Sequence, residues 1–520
     1  MRTTDKTTDV AGRRAQCSVC PSPAWVLSLT LSVLLCACAT GGVPATLTAA
    51  ASTAPPPQWY AHLPHNGSLT QLSQWWQQQH DPLLVAFIEA AQAVSPSVAT
   101  ARANIEQSRA SRTASQAALL PTLDATGSLN RSLSAPINRA NAAPGNFAQL
   151  GLQTSWELDL FGQNAASRDA DQARFEGAQA HWHDARVSVA AEVATQYYNL
   201  RTCQKLHQVA EADASSRAET ARLTALASSA GFDAPANAAL ARASAAEGRA
   251  KATQQRAQCD VDTKALVAMT AFTEPVLRQK LAAVSVAAAS ESFIGISSVP
   301  ADVLAQRPDV FNAEREVTAA SFEVRSARAQ RYPRLSLAGS ITTSKSRVRS
   351  VTQGFDTWSI GPLALTVPLF DGGASQAQLE AAKARYEEAA GKYRSTIRQA
   401  VRDVEEALVK LQSTGERLGD AAQATAGYQA FFAATQARYK AGLASLVGLE
   451  DARRTVLAAQ SALLGLELER RTAWVALYRA LGGGWTAATP HPLPHPPSMA
   501  FAPPESARQD DATDPQKVTP

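Results

Sequence analysis

What most constrains this 520-residue chain is that one unit, alternating short segments followed by long stretches without helix breakers, occurs in it twice. Ser95-Pro96-Ser97-Val98 lines up with Arg307-Pro308-Asp309-Val310. Each opens a helical stretch closed by a proline step, Leu120-Pro121-Thr122-Leu123 in the first copy and Tyr332-Pro333-Arg334-Leu335 in the second. Leu158-Asp159-Leu160-Phe161-Gly162 then matches Val367-Pro368-Leu369-Phe370-Asp371-Gly372, and Gly231 matches Gly442. Landmarks recurring in order at one shift, here about 210 residues, mark an internal duplication.

Inside each copy the hydrophobic period changes at the same places. From Leu150 to Leu160 the even positions are mostly apolar, while the odd ones include Gln153, Glu157 and Asp159. Period two with one greasy and one wet face predicts a strand. The same alternation runs through Leu123, Ala125, Gly127 and Leu129, and through Leu335, Leu337, Gly339 and Ile341. From Trp358 and Ile360 it skips phase to Leu363, Leu365, Val367 and Leu369, so Gly361-Pro362 should mark a bulge or bend. These segments reach the roughly 9–11 residues of a tilted membrane strand. Apolar-out and polar-in is the pattern of a water-filled membrane barrel. Four strands cannot close one, because the smallest use about eight; strands must come from other copies, and three chains would supply twelve.

After each second strand, from about Gln163 to Ser228 and from about Ala374 to Ala441, there is no proline. At 1.5 Å per residue such helices reach on the order of 100 Å. Ile397, Val401, Val404, Leu408 and Leu411 step by fours and threes, as do Val187, Ala191, Ala194 and Tyr198, which is spacing for helix-to-helix packing. Aromatic residues are only 6% of the chain and Ala dominates long stretches, which suits extended helices with small-residue seams. Both long helices should turn back at a glycine, Gly231 and Gly442, into partners over about 234–270 and 446–481. Cys203 and Cys259 stand equally far from Gly231, hence at one height in an antiparallel hairpin, and a disulfide between them is expected in an oxidising compartment.

The first 23 residues are polar and carry Arg2, Lys6, Arg13 and Arg14; an apolar run from Ala24 to Ala37 follows, too short to span a membrane stably. It ends in Leu35-Cys36-Ala37-Cys38, which resembles a bacterial lipobox with Cys38 as the lipidated residue. Ala39 follows where an Asp would favour retention in the inner membrane. Downstream no apolar run approaches membrane-helix length, so a membrane-spanning version of this chain must be a barrel. A net charge of +4 gives no reason to expect a polyanionic partner. The eight scattered His, including His181 and His183, form no ligand cluster, and no catalytic constellation or cofactor motif is present; neither a metal nor an enzyme is expected.

Asp81-Pro82-Leu83, Gln306-Arg307-Pro308-Asp309-Val310 with Ala313-Glu314, and Pro368-Leu369-Phe370-Asp371-Gly372-Gly373 resemble signatures of the TolC-type outer-membrane efflux proteins, in their lipoprotein, NodT-like branch. So do Tyr439-Lys440-Ala441-Gly442-Leu443-Ala444-Ser445 and the ending Leu477-Tyr478-Arg479-Ala480-Leu481-Gly482-Gly483-Gly484-Trp485. The resemblance implies a mainly α fold in which four strands per chain build a twelve-stranded barrel of a homotrimer. That barrel continues as a long α-helical barrel through the periplasm. It further implies a passive, gated conduit without cofactor, joined through a periplasmic adaptor to an inner-membrane efflux pump. Matched from the Tyr439 and Gly442 motif, Val447 falls at an aliphatic gate ring, Asp451 at an acidic ring and Arg454 at a tethering position, with the tips at Gly231 and Gly442 as adaptor contacts. Gly448 and Ala444 stand where other members carry an acid and an Arg, and Asn237 replaces an acid in the first copy, which argues against closure by dense tip salt bridges. The expected organisation is a signal peptide over 1–37, a lipid-anchored leash over 38–67, repeats over 68–298 and 299–486, and a Pro-rich disordered tail over 487–520. A protein-secretion channel and a periplasmic coiled-coil scaffold that never spans the membrane are the competing readings.

Overall fold

The computed structural model describes residues 56–61, 75–134, 143–283 and 303–485. The leader, Cys38 and the Pro-rich tail lie outside them. In chain order the elements are α1 (Trp75–Gln78), α2 (Pro82–Val94), α3 (Pro96–Ala117), β1 (Thr122–Ser134), β2 (Ala143–Leu158), α4 (Gln163–Ser229), α5 (Pro235–Thr270) and α6 (Glu274–Ala283). The second copy supplies α7 (Pro308–Ala329), β3 (Arg334–Val348), β4 (Val351–Thr366), α8 (Ala374–Lys440) and α9 (Leu446–Ala480). The fold is mainly helical with one small sheet. The period-two segments form its strands, although β2 ends at Leu158 and β4 at Thr366, short of Leu160, Val367 and Leu369; the proline-free stretches are its long helices, and both chain reversals fall at the expected glycines.

The sheet is antiparallel in the order β1-β2-β3-β4. Residues directly opposite in such a ladder project to the same side. One row is therefore Asp124, Gln153, Ser340 and Ser359, with the last two hydroxyls 2.9 Å apart; the neighbouring row, on the other face, is Ala125, Leu152, Ile341 and Trp358. The phase skip at Gly361-Pro362 is a register shift, since Leu337 faces Leu363 while Gly339 faces Ile360. Within the single chain the greasy face is bare: Ile360 is 83% exposed and Trp358 76%. An apolar surface this continuous needs lipid or protein against it. Among the described residues no single helix is long and apolar enough to cross a membrane.

α4 and α8 are each 67 residues long, roughly 100 Å. The alanine-rich composition finds its use in α4, where Ala166, Ala170, Ala173, Gly177 and Ala180 are buried at helical spacing. Ala170 and Ala173 pack on Ala319 of α7. At Gly177 an added Cβ would lie 2.5 Å from the Asn312 side-chain oxygen and 3.3 Å from the Arg315 Cβ, so a larger residue would require the Asn312 side chain to turn aside. In α8 Ile397, Val404, Leu408 and Leu411 are buried as expected, and Val401 is half-buried.

Halfway along the helices a collar forms that the periodicity did not announce. Trp75 stacks on Tyr478 with ring centroids 5.1 Å apart, Trp76 meets the same ring edge-on, and Leu84 and Phe87 are fully buried. Arg307 is buried there, forked onto Asp309 at 2.9 and 2.7 Å and donating to the Ala480 carbonyl at 2.9 Å. It ties the start of α7 to the end of α9. Gly482 closes the same junction: its φ is +77°, and a Cβ would come within 2.4 Å of the Gln306 carbonyl oxygen. At the far end of the expected leash, the amides of Tyr60 and Ala61 donate to the Glu405 carboxylate of α8 at 2.7 and 2.8 Å.

Candidate functional site

The two helical hairpins end side by side in the same local structure. Helix α4 stops because Gly231 takes a left-handed φ of +82°; its amide donates to Ser228 and the Phe232 amide to Ala227. Helix α8 stops the same way, with Gly442 at +75°, its amide on Tyr439 and the Leu443 amide on Arg438. Both are Schellman closures, which satisfy the last carbonyls of a helix. Ser445 then caps α9 by accepting the Gly448 amide at 3.1 Å, whereas Asn237 near the start of α5 donates locally to Asp233 at 2.7 Å.

Helix α9 leaves the turn with two distinct faces. Leu446 and Leu449 are buried against Ala221, Ala241 and Ala245 of the first hairpin. Val447, Asp451 and Arg454, four and three residues apart, share the opposite face, and all three are exposed. Arg454 lies 3.6 Å from the Asp451 carboxylate, and both side chains are more than half exposed, so this pair is a weak local tether. The Tyr439 and Thr224 hydroxyls, 2.9 Å apart, link the two hairpins just above the tips.

One cluster here was missed in the sequence. Behind the Val447–Asp451 face, Arg453 is 1% exposed. Its guanidinium pairs with Glu450 on its own helix and lies 3.5 Å from Asp213 of α4, and it donates to the Ser216 hydroxyl at 3.1 Å. Arg217 of α4 completes the group, 2.8 Å from Asp213 and 3.3 Å from Glu450, while Ser244 of α5 donates to Glu450 at 2.8 Å. Burial pushes the Arg453 pKa down from its ordinary value, opposed by Glu450 and Asp213; a guanidinium nevertheless remains charged. Two cations and two carboxylates thus neutralise one another inside a packed interface. The available signal was the spacing: Asp213, Arg217, Thr220 and Thr224 follow a heptad seam, as do Leu446, Leu449, Arg453 and Val456.

Higher up the first hairpin, Cys203 of α4 and Cys259 of α5 are joined by a disulfide, their Cα atoms 5.6 Å apart and 56 residues apart in sequence. The second hairpin has no such link; the matching positions, from Gly442, are Thr414 and Arg470. Replacing both cysteines by Ser should lower the stability of the first hairpin by about 2–4 kcal/mol. Thermal unfolding of wild type and double variant checks this, and an unchanged midpoint would contradict it.

A half-greasy sheet fragment with open edges, fed directly into helices about 100 Å long that each fold back over roughly half that length, defines one wall section of a membrane channel. The chain belongs to the outer membrane efflux protein family, whose pattern it matches twice, over residues 87–271 and 299–483. It is 29% identical over 412 residues to the solvent efflux pump outer membrane protein SrpC of Pseudomonas putida, across 78% of this chain and 87% of that one. To the pyoverdine export outer membrane protein OpmQ of Pseudomonas aeruginosa it is 28% identical over 472 residues, 88% of this chain and 96% of the relative. The fold superposes on the crystal structure of the Campylobacter jejuni CmeC outer membrane channel with a TM-score of 0.75 at 25% identity, covering 83% of this chain and 92% of that one. The protein is an outer-membrane efflux channel, the outer-membrane part of an efflux system.

Proposed function

We propose that three copies close around one axis to form a passive conduit that carries small organic solutes out of the cell. The observation that carries this is that the protomer is open on two sides in both layers. In the sheet, β1 and β4 each have one unpaired edge. In the helical layer, α3 and α5 pack on α4, and α8 packs on α7 and α9. The outermost helices display exposed apolar groups, Val409 and Phe431 on α8, Leu240 and Val261 on α5. Three such units give twelve strands, an even number as closure of an antiparallel barrel requires.

The narrow end is the hairpin tips. Val447 forms the aliphatic ring, Asp451 the acidic ring, and Arg454 restrains Asp451, so the gate belongs to the second hairpin. The tips around Gly231 and Gly442, with Phe232 88% and Leu443 69% exposed, dock a periplasmic adaptor that connects to an inner-membrane pump. Cys38 carries the lipid and residues 38–67 form the leash, after removal of residues 1–37; 68–298 and 299–486 are the two functional repeats and 487–520 a tail. The protein performs no covalent chemistry. Full-length protein in detergent should scatter light with the protein mass of three chains, and metabolic palmitate should label it but not its Cys38→Ala variant. A single-chain mass would contradict the assembly, and equal labelling would contradict the anchor.

A further inference from the structure

The lipid-facing side of the sheet carries three cations that the conduit does not use. Asn146 lies opposite both Arg131 and Arg347, and Ala148 opposite both Leu129 and Lys345. Arg131, Lys345 and Arg347 therefore project to the same side as Leu152, Ile341 and Trp358, and all three are exposed. Among the described residues no carboxylate pairs with them; Asp356, two positions nearer the helices on that face, faces Thr343.

Their height is informative. On this face the side chains from Leu335 through Leu337, Gly339 and Ile341 to Thr343 are apolar or small. They cover about 27 Å of strand, which at a tilt of about 35–45° is roughly 19–22 Å of height and so most of the roughly 25 Å apolar band of a membrane barrel. Lys345 and Arg347 come directly after it, at the end remote from the helices, which is the outer rim of the membrane. At the helix end the same face offers Leu335, Leu365 and Trp156, and the nearest cation, Arg334, belongs to the other face. The positive charge thus sits at one rim only. Arg131 and Arg347 flank Asn146 across two strand spacings, roughly 10 Å.

We propose that Arg131, Lys345 and Arg347 bind the phosphate groups of a phosphorylated lipid headgroup in the outer leaflet, with the acyl chains along Leu129, Leu150 and Ile341. Guanidinium forks match phosphate oxygens bidentately and Lys adds a point charge, so phosphate is the complementary anion. The site rests on the membrane reading of the sheet, and the test separates the two. Full-length protein in neutral detergent micelles is titrated with bisphosphorylated lipid A and with the same lipid after its phosphates are removed. Wild type should prefer the phosphorylated form by at least about tenfold. R131Q/K345Q/R347Q should bind the two forms alike, while R131K/R347K retains the preference, and all should enter neutral phosphatidylcholine vesicles equally. No preference in wild type, a preference kept by the triple Gln variant, or full competition by millimolar inorganic phosphate would overturn the lipid site. Failure of wild type to enter neutral vesicles would strike the membrane reading, and this site with it.

Discussion

Arg453→Ala should destabilise the interface between the two hairpins by roughly 3–5 kcal/mol, the range for removing one partner of a buried ion pair. The reason is what remains. Glu450 keeps Arg217 and Ser244, but Asp213, 6% exposed, is left with Arg217 alone, and a cavity opens beside Phe432, over whose ring the guanidinium now sits at 5.6 Å. Mutual compensation is the signature to look for. Combining Arg453→Met with Glu450→Leu should cost less than the two single changes added together, by 1 kcal/mol or more in a double-mutant cycle. Unfolding midpoints of the four proteins measure it, and strict additivity would show that the pair is solvated rather than buried. Because this cluster joins α9 to α4 directly behind the face that carries Val447 and Asp451, limited proteolysis should also cut the Arg453→Ala protein sooner near Gly442.

The second large effect concerns conductance. Val447→Ala with Asp451→Ala should raise the single-channel conductance of the purified protein several-fold, since in the proposed trimer one change would widen a ring of three side chains and the other would remove three converging charges. The single variants separate the two contributions. Val447→Ala should increase conductance and leave cation preference in place, whereas Asp451→Ala should reduce cation preference, most at low salt, where the charges are least screened. Arg454→Ala should act in the opposite sense to Asp451→Ala, because the guanidinium 3.6 Å from the carboxylate offsets part of its charge. Conductance and reversal potential equal to wild type in the double variant would move the constriction elsewhere.

Much of this architecture was legible because it rests on local rules. Strand faces follow from period two, helix extents from the absence of proline, and both turns from a glycine whose positive φ a side chain would oppose. The height of Cys203 and Cys259 follows from counting residues away from Gly231. What stayed illegible depends on meetings that no local pattern encodes. Arg307 and Ala480 are 173 positions apart and Asp213 and Arg453 belong to different copies, so each charged residue alone looks solvated. The Trp75, Trp76 and Tyr478 cluster is hidden for the same reason. The cation row on the greasy face of the sheet is intermediate: alternation predicts its face, but only the register of β1, β2 and β3 places Arg131 and Arg347 on either side of Asn146.

In the proposed trimer the open edge β1 of one copy meets β4 of the next. Single cysteines placed along β1 at Asp124, Thr126 and Ser128 can be combined, one at a time, with cysteines along β4 at Phe355, Thr357 and Ser359. Oxidation of the full-length protein in membranes, followed by non-reducing electrophoresis, reads the result. Closure of one barrel by three chains predicts that at least one pairing gives dimers and covalent trimers, with nothing larger. Monomers alone in every pairing, or a ladder running beyond three, would contradict it.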